Sequence, residues 1–324
     1  MTARSVVDAV GVRWQHAAMS LLTPSLAPLA GGAAAAIEEA GGMWTVPRTA
    51  DRDAVVAEVR ERGLRALHVA GGAPAFLVEL PEVEYLTLSS VDLGDLPDVP
   101  RLRHLEVVDW RGALRSPLPR LRWAVLEEGP HGGRGVESVL DAPEVRALRI
   151  AHGYPGEDAK LLASRDLQSL WLHRLPGLTS LSGIGRHRST LGFLDLYRLP
   201  RLTSLAPLSG LEALESLSLD GVPAGADLTE VARIPRLRAL NIIDQSGVQS
   251  LAPLAGHPTL EFVAFGRTYD MDLSPLAEVP HLRMVHLGYQ GMWKGSPGAV
   301  LQRTELGWDH PAVVESLRLY NSQA

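Results

Sequence analysis

Cysteine is absent from the 324 residues, lysine occurs only at Lys160 and Lys294, and asparagine only at Asn241 and Asn321. Without cysteine there is no disulfide framework, no thiolate nucleophile and no Cys-ligated zinc or iron–sulfur centre. Neither lysine follows a Gly-rich turn of the phosphate-binding form. The nearest glycine motif, Gly183-Ile184-Gly185-Arg186-His187-Arg188, lacks a third glycine and a preceding strand. The HExxH, GxSxG and calcium-loop patterns are also missing. A net charge of −6 offers no general attraction to nucleic acid or to an anionic membrane. Long apolar runs are scarce too. Ser5 to Leu22 carries Asp8, Arg13, Gln15 and His16, and the run from Gly31 to Ile37 ends at Glu38 and Glu39. The expectation is a cytoplasmic protein with no membrane association, no nucleic-acid partner, no cofactor and no metal. Oligomeric state is not set by the sequence.

Leucine, in contrast, is abundant at 53 residues. Most of it falls in a recurring LxxLxL pattern, with an aliphatic residue at each L. The pattern starts at Leu64, Val83, Leu102, Leu121, Val145, Leu167, Leu191, Leu214, Leu237, Leu260, Leu282 and, less regularly, Val314. Its first ten intervals run between 19 and 24 residues. Alternation such as Leu214, Leu217 and Leu219 predicts a short strand with one buried face. Between strands a second motif recurs in Ser204-Leu205-Ala206-Pro207-Leu208 and Ser250-Leu251-Ala252-Pro253-Leu254, where proline opposes a long helix and predicts a single-turn segment. Proline also stands two residues before the first strand aliphatic at Pro81, Pro100, Pro119, Pro143, Pro235, Pro258 and Pro280. Its fixed φ starts the extended run.

These residues resemble the leucine-rich repeat family, and the unit of about 22 residues with its SLAPL segment is similar to internalin-type bacterial repeats. The resemblance covers about residues 64 to 290. It implies an α/β solenoid, a horseshoe with parallel strands on a concave face and short turns on the convex side. One departure is clear. Such repeats usually carry Asn three residues after the last strand aliphatic, and this chain has Leu175, Leu199, Val222 and Gln245 there. No asparagine ladder can form, so apolar packing must hold that turn. Residues 1–62 read as a helical N-terminal cap, with helices over 5–22, 33–40 and 51–62. Residues 63–290 read as one extended solenoid domain. Residues 291–324 read as a C-terminal cap, with a short helix over 296–302 and a closing strand over 314–320.

If the fourth and sixth positions of each repeat point inward, the third, fifth and seventh face the opposite, solvated side. Aromatic residues make up only 5% of the chain, yet Trp123, Trp171 and Phe193 fall on that face, with Arg149, His173, Asp195, Tyr197 and Asp220 beside them. Large rings at low entropy cost dominate many interfaces. The expected function is therefore a non-catalytic protein- or peptide-binding module that recognises its partner around the fourth to eighth repeats. In that reading Trp171 and Phe193 are anchors, and Asp195, Asp220 and Arg149 set orientation. A second reading, in which loops or a terminal segment fold over the rings, stays open.

An enzyme is the alternative from another class. His173, Tyr197 and Asp220 stand at equivalent positions of three successive repeats and could do acid–base chemistry. Upstream, Glu106, Asp109, Glu127 and Glu128 converge beside the Gly-rich stretch from Gly129 to Gly135, where paired carboxylates could serve the same end or form a solvated rim. A self-assembling structural module is a third class. Asp270 and Asp272 read as turn or cap residues.

Overall fold

The computed structural model describes residues 42–47, 51–71, 74–129, 134–221, 227–242, 248–266 and 268–287. They fall into two compact units, an upstream one within Gly31–Arg186 and a downstream one from His187 onward. In the upstream unit β1 (Trp44–Val46), β2 (Ala66–Ala70), β3 (Tyr85–Asp92), β4 (His104–Arg111), β5 (Trp123–Glu127), β6 (Ala147–Ala151) and β7 (Ser169–His173) pair in chain order, all parallel. The downstream unit repeats the arrangement with β8 (Phe193–Tyr197), β9 (Ser216–Asp220), β10 (Ala239–Ile242), β11 (Phe262–Phe265) and β12 (Met284–Leu287).

Register follows the repeat. Leu67, Leu86, Leu105, Ala124, Leu148 and Leu170 stand side by side upstream, and Leu194, Leu217, Leu240 and Val263 do so downstream. All are buried, as are the aliphatics two residues on. Each such side chain withdrawn from water contributes about 1.5–3 kcal/mol, and it does so only against its neighbours in the stack.

The turns between strands are short, as their proline content predicts. Ala206–Gly210 and Ala252–Leu254 are single 3-10 turns with proline in the first two positions, and Leu208 and Leu254 are buried beneath them. Ser204 and Ser250 accept hydrogen bonds from the amides of Ala206 and Ala252 at 3.1 and 3.0 Å. Asp272 does the same for Ser274 at 2.9 Å, ahead of the short helix Ser274–Ala277. This is a turn role, as expected for Asp272.

The segment before residue 63 differs from the all-helical expectation. Helix α1 (Arg52–Arg62) forms, capped by the Asp51 carboxylate at its start and by Gly63 in the left-handed region at its end, with Val55, Val56 and Val59 buried. Ahead of it Trp44–Val46 is a strand, with Trp44 opposite Leu67. Three residues without the repeat pattern cover the open edge of β2, which would otherwise expose its backbone groups. The helices expected over 5–22 and 33–40, and the C-terminal cap expected over 291–324, lie outside the described residues.

The eighth and ninth positions of the repeat explain how the turn closes without asparagine. The eighth residue of the repeat is left-handed in repeat after repeat: Ser90, Asp109, Glu128, His152, Arg174 and Arg198 have φ between 52 and 66°, and Gly71 and Gly221 occupy the same position. The ninth residue, at the missing ladder, is packed apolar surface: Val91, Trp110, Leu175 and Leu199 are all buried. Trp110 needs more room than a repeat of this size supplies. A Cβ on Gly129 would sit 2.2 Å from its indole, and one on Gly135 only 1.9 Å away. Both positions must therefore be glycine. The Gly-rich stretch read beside the acidic residues is thus in part a socket for Trp110, with Gly135 in the short helix α2 (Arg134–Leu140).

The second residue of the repeat alternates in charge over the first three repeats and over the eighth to eleventh. Glu84 lies between Arg65 and Arg103 at 3.1 and 3.5 Å, and Glu261 lies between Arg238 and Arg283 at 2.6 and 3.7 Å. Sharing one carboxylate between two guanidinium groups makes these networks worth more than isolated surface pairs.

Candidate functional site

The face of the sheet opposite the leucines carries the residues expected to recognise a partner. In the upstream unit, rings stand on successive strands at the third position. Tyr85 and His104 have centroids 6.3 Å apart, and His104 and Trp123 5.6 Å apart. The row continues to Trp171, whose ring stacks on Trp123 at 5.3 Å and 25°. Trp123 and Trp171 belong to β5 and β7, and both lean over β6, where Ala147 is small enough to allow it. Offset pairs of this kind contribute about 0.5–1.5 kcal/mol beyond the area they bury. Burial keeps His104 neutral, with its pKa lowered to about 4, so the row carries no charge at neutral pH.

Val125 is the centre of the charged part of this face. It is 6% exposed and flanked in register by Glu106 on β4 and Arg149 on β6, with Trp123 and Glu127 two residues before and after it on its own strand. Arg149 donates to Glu127 at 2.9 Å, and their side chains are 39% and 25% exposed. Its Nε–H is buried without an acceptor, a cost that a purely structural ion pair would avoid. Glu106 is half-buried and receives a hydrogen bond from Thr87. Burial raises its pKa, and the Glu127 charge adds to the shift while Arg149 opposes it. Among the described residues no cation lies within ion-pair distance of Glu106. Asp109 and Glu128, expected to join this group, are exposed at the left-handed turn position, and Asp109 accepts from Ser90 at 2.8 Å.

Buried leucines at the first, fourth and sixth positions, one parallel strand per repeat, and a tight turn at positions eight and nine decide the architecture. This is a leucine-rich-repeat fold. No protein-family model matches the chain, and no curated protein matches its sequence. Among solved structures the chain is similar to internalin C2 of Listeria monocytogenes, at 23% identity over 65% of this chain and 83% of that one, with a TM-score of 0.41. It is also similar to a second Listeria monocytogenes internalin, at 20% identity over 82% and 84% of the two chains, with a TM-score of 0.47. A leucine-rich-repeat protein of Leptospira interrogans matches at 15% identity over 76% of this chain and 60% of that one, with a TM-score of 0.46.

The repeats place the remaining expected residues less openly than their alternation suggests. Trp171 is 5% exposed, Phe193 1% and Asp195 1%, and His173 is also buried. The expectation that these side chains meet solvent is corrected: all four are buried. Tyr197 stands opposite Asp220 across β8 and β9 in the downstream unit, with the Arg198 guanidinium 4.9 Å from its ring centroid, whereas His173 ends β7 upstream. A shallow groove of about 340 Å³ lies at the start of the downstream strands, lined by Glu215, Arg236, Arg238, Pro258, Thr259, Glu261 and His281. Arg238 and its two glutamates are already engaged in the charge ladder. Among the described residues no three His, Asp or Glu side chains are placed to hold a metal ion, and no helix is long and apolar enough to cross a membrane.

Reading by repeat position found Trp123 and Arg149 but did not single out Tyr85, His104 or Val125. They occupy the third position of the second and third repeats and the fifth of the fourth. A search for rings on neighbouring rungs, histidine included, would have found the row.

Proposed function

We propose that this chain is a non-catalytic leucine-rich-repeat module that binds a protein or peptide on the strand face opposite its leucine core, with β3 to β6 making the contact. The supporting observation is the ring row in which Trp123 keeps part of its surface, next to a buried valine ringed by Glu106, Glu127 and Arg149. A rigid aromatic anchor with polar groups around it is the composition that concentrates binding energy. Trp123 takes the contact role and Trp171 backs it, holding the half-exposed ring through their stack. Arg149 and Glu127 fix each other and set orientation.

Affinity capture from the native cell tests this reading. The parent chain is expected to retain a partner that the Trp123→Ala/Arg149→Ala variant loses while keeping its thermal unfolding transition. Equal capture by the folded variant would overturn it. Truncating Trp171 and Phe193 would be a poorer test, because both are buried and their loss would act on stability first.

A further inference from the structure

The recognition surface contains a subsite whose chemistry specifies part of the ligand. This inference rests on the reading above and goes further, to what kind of side chain the surface takes. Parallel strands stand ~4.8 Å apart and alternate residues on one strand ~6.7 Å apart. Val125 is therefore an apolar floor of about those dimensions, bounded by Trp123 at one end, Glu127 at the other, and Glu106 and Arg149 at the sides. Three of the four walls already have partners. Trp123 is stacked on Trp171, and Arg149 is paired with Glu127. Glu106 is the remaining wall. It is half-buried, it receives only the Thr87 hydrogen bond, and among the described residues it has no cation within ion-pair distance.

A half-buried carboxylate beside another carboxylate is costly, and a cation delivered to it removes that cost. Charge points the same way. Around Val125 two carboxylates, Glu106 and Glu127, stand against one cation, Arg149. An acidic partner group would have to approach Glu106 without a free cation to meet it. Shape narrows the choice further. An elongated side chain can lay its methylenes on Val125, pass the edge of Trp123 and end at Glu106. A guanidinium suits this better than an ammonium, since it is planar against a ring and donates two parallel hydrogen bonds to one carboxylate.

We propose that Val125, Trp123 and Glu106 form a subsite for an arginine side chain of the partner, Glu106 pairing with the guanidinium and Trp123 covering it.

The test uses small probes and the whole chain. Acetyl-arginine methylamide and its neutral isostere, acetyl-citrulline methylamide, are titrated in parallel and followed by saturation-transfer NMR. Saturable arginine binding is expected, weakened at least about ten-fold for citrulline and for the Glu106→Gln variant. Thermal unfolding of Glu106→Gln serves as the folding control, and the neutral amide is expected to leave the transition unchanged or higher. Equal binding of both probes, or binding of arginine that Glu106→Gln does not alter, would overturn the subsite. Capture of the native partner separates the two levels. A partner lost with Trp123→Ala but held as tightly by Glu106→Gln would leave the recognition surface standing and refute the arginine subsite.

Discussion

Trp123 and Phe193 occupy the same third position of their repeats, on the same side of parallel strands, and both are aromatic. Upstream, Trp123 is half-exposed amid charged residues, and its neighbours Thr87, Glu106, Glu127 and Arg149 keep part of their surface. Downstream, Phe193 is buried, and so are Asp195, Ser216, Ser218, Ala239, Asn241, Phe262 and Ala264 on that face. Alternation along a strand tells which face a side chain takes. It does not tell whether that face meets water. The upstream unit is where this fold keeps an open, chemically varied face; among the described residues of β8 to β11 the same face is mostly closed.

The largest expected effects test this contrast directly. Phe193→Ala should cost about 3–5 kcal/mol of stability by leaving a cavity, measured by denaturant unfolding, whereas Trp123→Ala should cost clearly less. Equal costs would break the distinction between a core ring and a contact ring. Gly129→Val belongs in the same large range, because its Cβ would strike the buried Trp110 indole. Expression of a folded, fully stable Gly129→Val chain would show that the Trp110 socket is not what closes the upstream turn.

A mid-sized effect is carried by pH. Burial holds His104 at a pKa of about 4, below the ordinary imidazole value of 6.5. Its contribution is thus present above pH 6.5 and is lost as pH falls toward 4, by an amount on the order of 3 kcal/mol. His104→Phe keeps a ring between Tyr85 and Trp123 but has no proton to gain. Unfolding measured from pH 7 to 4 should fall less steeply for this variant than for the parent. Parallel profiles would mean that His104 is not held neutral by its place in the row.

The smallest effects sit at the left-handed eighth position, where the units again differ. Glu128 upstream has φ 56°, and Gly221 downstream has φ 69° with room for a Cβ only 3.0 Å from Arg198. Glu128→Gly should raise stability by up to about 1 kcal/mol, and Gly221→Ala should lower it by about 1 kcal/mol or more. Thermal unfolding of both variants compares the two turns.

Much of the fold was legible because each repeat states the same structural demand again. Strands β2 to β12 begin where LxxLxL and the preceding prolines place them, and SLAPL marks two of the turns. Strand β1 was not legible, since Trp44–Val46 lacks the pattern and forms by covering an edge that only the folded sheet possesses. The turn chemistry was half legible. Missing asparagine implied apolar packing, which Leu175 and Leu199 supply, but residues as unlike as Ser90, Glu128 and Arg174 give no sign that they share one left-handed conformation. At the site, Trp123 and Arg149 followed from position alone. Burial of Trp171 and Phe193 did not, because alternation fixes only the face that a side chain takes. The lean of Trp123 across Ala147 to reach Trp171 likewise needs three strands to be seen together.

The central claim is that the open face of the upstream unit, through Trp123, makes the contact with a partner. Its most direct test is the affinity of the captured partner for Trp123→Ala relative to the parent, measured by calorimetry on folded protein. The account predicts a loss of about thirty-fold or more, the size expected of a ring that dominates an interface. An unchanged affinity would contradict it.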